Sequence, residues 1–266
     1  MLNIFKSALY KMFRDKTFRV VCIIGLVLVA FITVLGYAID HASPGIHYLT
    51  GQNMLLSSLS PVQNFGLALP INLISLTIGE YTFGTFRNKI IAGYRKSYVY
   101  FTMLLIGSIF TIGLLAIYAG LCTLMGTIFG GFDLSVSVPT YGFVNGQFIW
   151  QFMFYALLTY LAIASFSIFI STNIRNHGGS VSIVVISIMI LYFISIFVRA
   201  STIGHFDDFN LFQWVNPLYF FGATTLNSIA DGINFTLSIS SAVAPILWIV
   251  LFNVLGTVCF IKRDIK

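Results

Sequence analysis

Charge is what this chain has least of: of 266 residues, 14 are Lys or Arg and 8 are Asp or Glu. Charged residues make up 8% of the chain, against the ~25% usual for a soluble domain. Hydrophobic residues make up 58%, and the mean hydropathy is +0.94. So few charges cannot cover a water-exposed surface of this size, which places the chain among membrane proteins. The net charge of +6 is not gathered into a Lys/Arg stripe with interleaved aromatics, so nucleic acid is not an expected partner. Cysteine is equally sparse. Cys22, Cys122 and Cys259 stand alone inside apolar stretches, and His41, His47, His177 and His205 are scattered. Neither a disulfide framework nor a zinc site is implied. No G-x4-G-K-[ST] loop occurs, so nothing in the chain is fit to cradle ATP phosphates. The lack of H-E-x-x-H, of G-x-S-x-G and of paired intramembrane carboxylates with a histidine argues against a membrane-embedded enzyme. His205 beside Asp207 and Asp208 reads as a solvated loop cluster.

What the chain does have is long apolar runs. A helix crossing the hydrocarbon core needs about 20 mainly apolar residues. Six such stretches occur, at 20–39, 56–78, 99–129, 148–171, 180–198 and 243–261. The second holds Pro61 and Pro70, which neighbouring helices can accommodate. The third exceeds the bilayer thickness and is expected to tilt or project. The first is longer than the ~7–15 apolar residues of a signal peptide, so an uncleaved helix is favoured over a cleaved leader. The expected fold is all-α and integral to the membrane, with residues 1–266 forming one transmembrane domain of six crossings.

Six crossings put both ends of the chain on one side, and the basic residues choose which. With the N-terminus in, thirteen of the 14 Lys and Arg are cytoplasmic and only Arg199 is outside. Asp40, Asp133, Asp207, Asp208 and Asp231 fall on the outer side. This is the positive-inside distribution. Before the first crossing, residues 1–19 carry Leu2, Phe5, Leu9, Met12 and Phe13 at three- and four-residue spacing, with Lys6, Lys11, Arg14 and Lys16 between them. That pattern suits an amphipathic helix on the inner membrane surface, its lysines near anionic lipid headgroups; the alternative is a topology signal alone.

The loop at 80–98, EYTFGTFRNKIIAGYRKSY, holds the only glutamate. Glu80 stands where the second crossing leaves the membrane, a costly place for an unpaired carboxylate. Basic or hydroxyl groups near the inner ends of other helices, such as Arg19 or Arg175, are candidate partners. Phe83, Phe86, Ile90 and Ile91 give the loop an apolar face, and the spacing predicts a short surface helix that starts after Gly84-Thr85 and stops near Gly93. An ordinary positive-inside loop would account for the charges alone.

The pattern E-x3-G-T-x-R-N-K-x2-A-G, at Glu80, Gly84, Thr85, Arg87, Asn88, Lys89, Ala92 and Gly93, resembles the cytoplasmic loop of ABC-2 type transporter permeases. It is most similar to the small bacterial permeases of bacitracin, lantibiotic and antimicrobial-peptide export systems. The resemblance implies that residues 80–98 carry a coupling helix docking on a separate nucleotide-binding ATPase subunit. Glu80, Gly84, Thr85, Arg87, Asn88 and Lys89 would be the coupling residues, with Glu80 in a polar cluster beneath the transport path. It also implies a second permease chain, the same or homologous, a bacterial plasma-membrane location, and ATP and Mg bound by the partner ATPase. This chain would bind no cofactor itself.

The segment at 199–240 holds Asp207, Asp208, Trp214, Asn216, Pro217, Tyr219, Phe220 and Phe221. It is too apolar for a free linker and too interrupted for two further crossings. Two readings stand: an aromatic belt anchor, or short re-entrant or interfacial helices that, by the resemblance, cap the exit, with Trp214, Asn216, Pro217 and Tyr219 as an external gate. Within the crossings, Asn64, Asn72, Ser75, Ser182 and Ser187 are candidates for a substrate path. Gly126 and Gly130 have GxxxG spacing, either a packing face or a loop entry. The expected function is the membrane half of an ATP-driven exporter of an amphipathic or lipid-like cargo, such as an antimicrobial peptide. A secondary transporter or channel is the alternative, disfavoured by the lack of mid-membrane ionisable residues and of an inverted repeat.

Overall fold

The computed structural model describes residues 10, 16–42, 48–61, 67–132, 146–174, 176–201, 214–221 and 240–262. These residues are helical throughout, apart from turns and short connections. In chain order the helices are α1 Lys16–Ala42, α2 Gly51–Ser58, α3 Ala68–Thr82, α4 Thr85–Ile91, α5 Lys96–Gly130, α6 Gly146–Ile174, α7 His177–Ser201 and α8 Ser240–Lys262. Five of them, α1 and α5 to α8, are long and apolar enough to cross a membrane. The chain is therefore an all-α protein with the character of a multi-pass membrane protein. Each long helix runs one to four residues past its apolar stretch at either end. Hydropathy marks only the part matched to hydrocarbon, whereas a helix continues into the headgroup region with polar end residues. The amphipathic segment expected at 1–19 lies outside the described residues, except for Tyr10 and for Lys16 to Arg19, which open α1.

The second apolar stretch is not the single helix expected at 56–78. It holds two pieces, α2 and α3, with Leu59 to Pro61 buried after the first. Thr50 starts α2 early by accepting a hydrogen bond from the Asn53 amide through its hydroxyl. Pro61 disfavours a helical Ser60 before it, so the helix ends first. Pro70 sits in the first turn of α3, where a missing N–H costs nothing. The 15 residues of α3 reach only about 22 Å at 1.5 Å per residue, short of a ~30 Å core.

α2 is buried at Gly51 to Leu56 and at Ser58. It lies against the Gly130 end of α5, where the Gly51 amide donates to the Gly131 carbonyl at 2.9 Å. Two glycines make this approach achievable. A Cβ on Gly126 would sit 2.9 Å from Met54 Cγ and from the Thr50 carbonyl oxygen, and one on Gly130 would strike the Leu49 backbone. The GxxxG pair is therefore a seat within the chain for α2. Asp40, near the end of α1, fixes the entry to that seat by accepting the Tyr48 amide at 2.6 Å and the Leu49 amide at 3.0 Å.

At the other end of α5, α4 packs beside Val99 and Tyr100. α2 and α3 thus run in succession antiparallel to α5, from its Gly130 end towards its Lys96 end. α6 is the central helix and the most buried of the five, while α1, α7 and α8 turn most of their apolar surface outward.

Candidate functional site

The loop helix is made by two glycines. Gly84, at φ 64°, turns the chain sharply after α3, and Gly93, at φ 90°, stops α4. A Cβ would meet nothing within 4 Å at either position, so what favours glycine there is backbone conformation and not space. The turn at Gly84 folds α4 back so that Lys89 Nζ reaches Glu80 Oε2 at 2.7 Å, the two side chains being 12% and 6% exposed. The same ammonium stands 5.7 Å from the centre of the Phe86 ring, within cation–π range. Arg19 and Arg175 are candidate partners read from the sequence; Lys89, from the same loop, is a cation on Glu80, and Arg175 lies outside the described residues.

Lys89 and Phe86 turn inward, so the outward face of the loop is left to other residues. Phe83 and Ile91 are 71% and 72% exposed, and Arg87 and Asn88 are exposed between them. Gly84 and Thr85 are half-buried at the turn. The result is an apolar and basic patch on a short helix that is anchored from behind by an ion pair and one aromatic ring.

The candidate path residues separate. Asn64 lies outside the described residues. Asn72 is buried on α3, its amide donating to the Ala68 carbonyl at 3.2 Å while its Oδ1 has no protein partner. Ser75, one turn on, shares a hydrogen bond of 2.5 Å with His177 Nε2 at the start of α7. Ser182 is exposed and Ser187 half-buried on α7. Asn72, Ser75 and Glu80 thus all sit on α3 with separate partners, and His177 is bonded to Ser75. Hydropathy overlooked His177, because a lone histidine at a helix start carries no motif. Among the described residues, no cluster of three or more His, Cys, Asp or Glu could hold a metal.

Of the segment at 199–240, residues 214–221 form a clip set among α6, α7 and α8. Asn216 is 4% exposed; its amide donates to the Leu191 carbonyl and to Ser195 Oγ, both at 2.8 Å, and its Oδ1 accepts the Leu218 amide at 3.0 Å. Thr159 on α6 donates to the Pro217 carbonyl at 3.2 Å, and Trp248 on α8 donates to the Val215 carbonyl at 2.8 Å. Tyr219 is buried and Trp214 exposed, while Phe220 and Phe221 stack edge-on to Phe152 of α6. Three helices are thus joined by one short segment, whose hub is Asn216. Asn216→Ala should lower stability by about 1–3 kcal/mol, the cost of stranding buried hydrogen-bonding groups. Thermal unfolding in detergent checks this, and an unchanged midpoint would remove the hub.

No protein-family model, curated protein or solved structure matches the chain.

Proposed function

We propose that this chain is the membrane-spanning permease of an ATP-binding-cassette exporter in a bacterial plasma membrane. In this reading it crosses six times, with both termini and α4 in the cytoplasm, and α2 with α3 makes the second crossing. A separate ATPase subunit binds ATP and Mg and docks on α4. A second permease chain completes the membrane unit, and the cargo is amphipathic or lipid-like. The observation that carries the reading is the patch at α4, where Arg87, Asn88 and Ile91 on the helix and Phe83 just before it are exposed while Glu80–Lys89 and Phe86 hold the helix against the bundle. A short helix presented rigidly in this way suits docking into an apolar, acid-lined groove of a soluble partner. The clip at 214–221 lies at the opposite end, where an exporter needs a closure.

Co-purification of the tagged chain with an ATPase encoded beside it tests the proposal. Phe83→Asp or Ile91→Asp should weaken the association by about thirtyfold, the scale of losing one interface hot spot, without loss of membrane insertion. Transport by the purified chain, driven by an ion gradient and free of any ATPase, would show a secondary transporter and overturn the proposal.

A further inference from the structure

One side chain of α4 is buried. Phe86 is 1% exposed. Its ring meets Tyr81 edge-on at 4.6 Å between centroids and Phe260, near the end of α8, at 5.5 Å. Phe260 in turn lies 5.5 Å from Tyr100 on α5. Tyr100 crosses α8 where that helix has no side chain: a Cβ on Gly256 would come within 2.6 Å of Tyr100 Cζ. One turn before Tyr100, Lys96 donates to the Ile261 carbonyl at 3.2 Å, satisfying one of the last orphan carbonyls of α8. The end of α8 is thus seated on α5 at Gly256 and touched by α4 at Phe260, although the two elements are far apart in sequence.

The ion pair cannot do the work of this ring. Glu80–Lys89 joins α4 to α3, the helix that already precedes it in the chain, so this pair fixes the angle of the loop. Coupling between distant elements runs through packed side chains that shift as a body. From α4 to α8 the packed chain is Phe86 to Phe260, with the close Tyr100–Gly256 contact as its fulcrum.

We propose that Phe86 is the positioning residue through which a displacement of α4 moves α8, so that the last helix, and not only the one leading into the loop, follows the loop helix. This rests on the exporter reading for what displaces α4. The clip extends the consequence, because Trp248 of α8 holds the Val215 carbonyl at the far end. A tilt of α8 about Gly256 would pull on residues 214–221.

The test uses the full chain in lipid nanodiscs, its three cysteines replaced, with a nitroxide label on Lys262→Cys. In the chain alone, Phe86→Ala and Phe260→Ala should both raise label mobility, while Phe86→Leu, which refills the site, should not. With the ATPase bound, ATP and vanadate should shift the label spectrum in the unsubstituted and Phe86→Leu chains. Both alanine variants should lose that shift while still binding the ATPase. A shift retained in both alanine variants would overturn the inference and leave the exporter reading standing. Loss of ATPase binding in Phe260→Ala would overturn it too, by making this cluster part of the docking surface. If no ATPase binds the unsubstituted chain, the exporter reading fails and takes with it the source of the motion, and the mobility data then decide only whether Phe86 holds α8.

Discussion

A Gly130→Ala chain should insert into the membrane but fail to pack α2. The new methyl group would meet the Leu49 backbone, and 2.6 Å separates its position from the Leu49 carbonyl carbon. A side chain can swing aside, but Leu49 cannot, because Asp40 holds its amide. Overpacking of a core usually costs about 1–3 kcal/mol, and collision with a fixed backbone belongs at or above the top of that range. Gly126→Ala should be milder, since one of its three close neighbours is the flexible Met54 side chain. Gly120→Ala is the control: nothing lies within 4 Å of a Cβ there, so it should be neutral or gain roughly 0.5–1 kcal/mol of helix propensity. Cys122, 2% exposed on α5, reports the result. In a chain whose other cysteines are replaced, its thiol should react with a maleimide at a lower temperature in Gly130→Ala than in Gly120→Ala. Equal protection in the two would show that α2 does not sit on the GxxxG pair.

Glu80→Gln should loosen the loop helix without preventing insertion. The substitution keeps shape and hydrogen-bonding capacity but leaves the Lys89 ammonium, 12% exposed, without its carboxylate. Breaking one side of a buried pair costs about 3–5 kcal/mol, and less where water reaches it; the slight exposure of both side chains points to about 3 kcal/mol. Removing both charges should be far gentler, so Glu80→Gln/Lys89→Met should recover most of the loss. Trypsin cleavage at Arg87 and Arg95 in nanodiscs reads the loop directly. It should be faster in Glu80→Gln and near the unsubstituted rate in the double variant. If the double variant is cut as fast as the single, Glu80 acts through another contact. Under the exporter reading, Glu80→Gln should also keep the ATPase bound while weakening the link between hydrolysis and transport.

The long helices were legible because twenty apolar residues in a row leave little choice of structure, and only their polar ends had to be added by the fold. The loop helix was legible for a different reason: Gly84 and Gly93 mark a turn and a stop, and the structure has positive φ at both. The second apolar stretch misled, because hydropathy averages across a break. Leu56 to Ile78 reads as continuous and leaves out Gly51-Gln52-Asn53, yet these three are buried and Thr50 caps them. Burial of Gln52 and Asn53 is decided by glycines far along the chain, and no local window contains that. Lys89 as a partner of Glu80 is not legible in the sequence for a related reason: it is nine residues on, and the left-handed Gly84 brings it back. The asparagine in the clip had been noted as a gate residue, but its role as a hub joining Leu191, Ser195 and Leu218 needed the tertiary fold.

The break between α2 and α3 also sets an order of events while the protein is being made. α1 carries enough apolar surface to enter lipid as soon as it leaves the ribosome. The segment from Gly51 to Thr82 does not, because backbone groups at a helix break cannot face hydrocarbon unsatisfied. Its shelter arrives late. Gly126 and Gly131 of α5 lie well downstream, and the Tyr160 hydroxyl that donates to the Ser60 carbonyl is 100 residues further along. Until α6 is synthesised, this piece has to wait in the insertion machinery or against a chaperone. A ribosome stalled before Tyr160 should therefore hold a nascent chain with α1 in the bilayer and Gly51 to Thr82 still open to proteases.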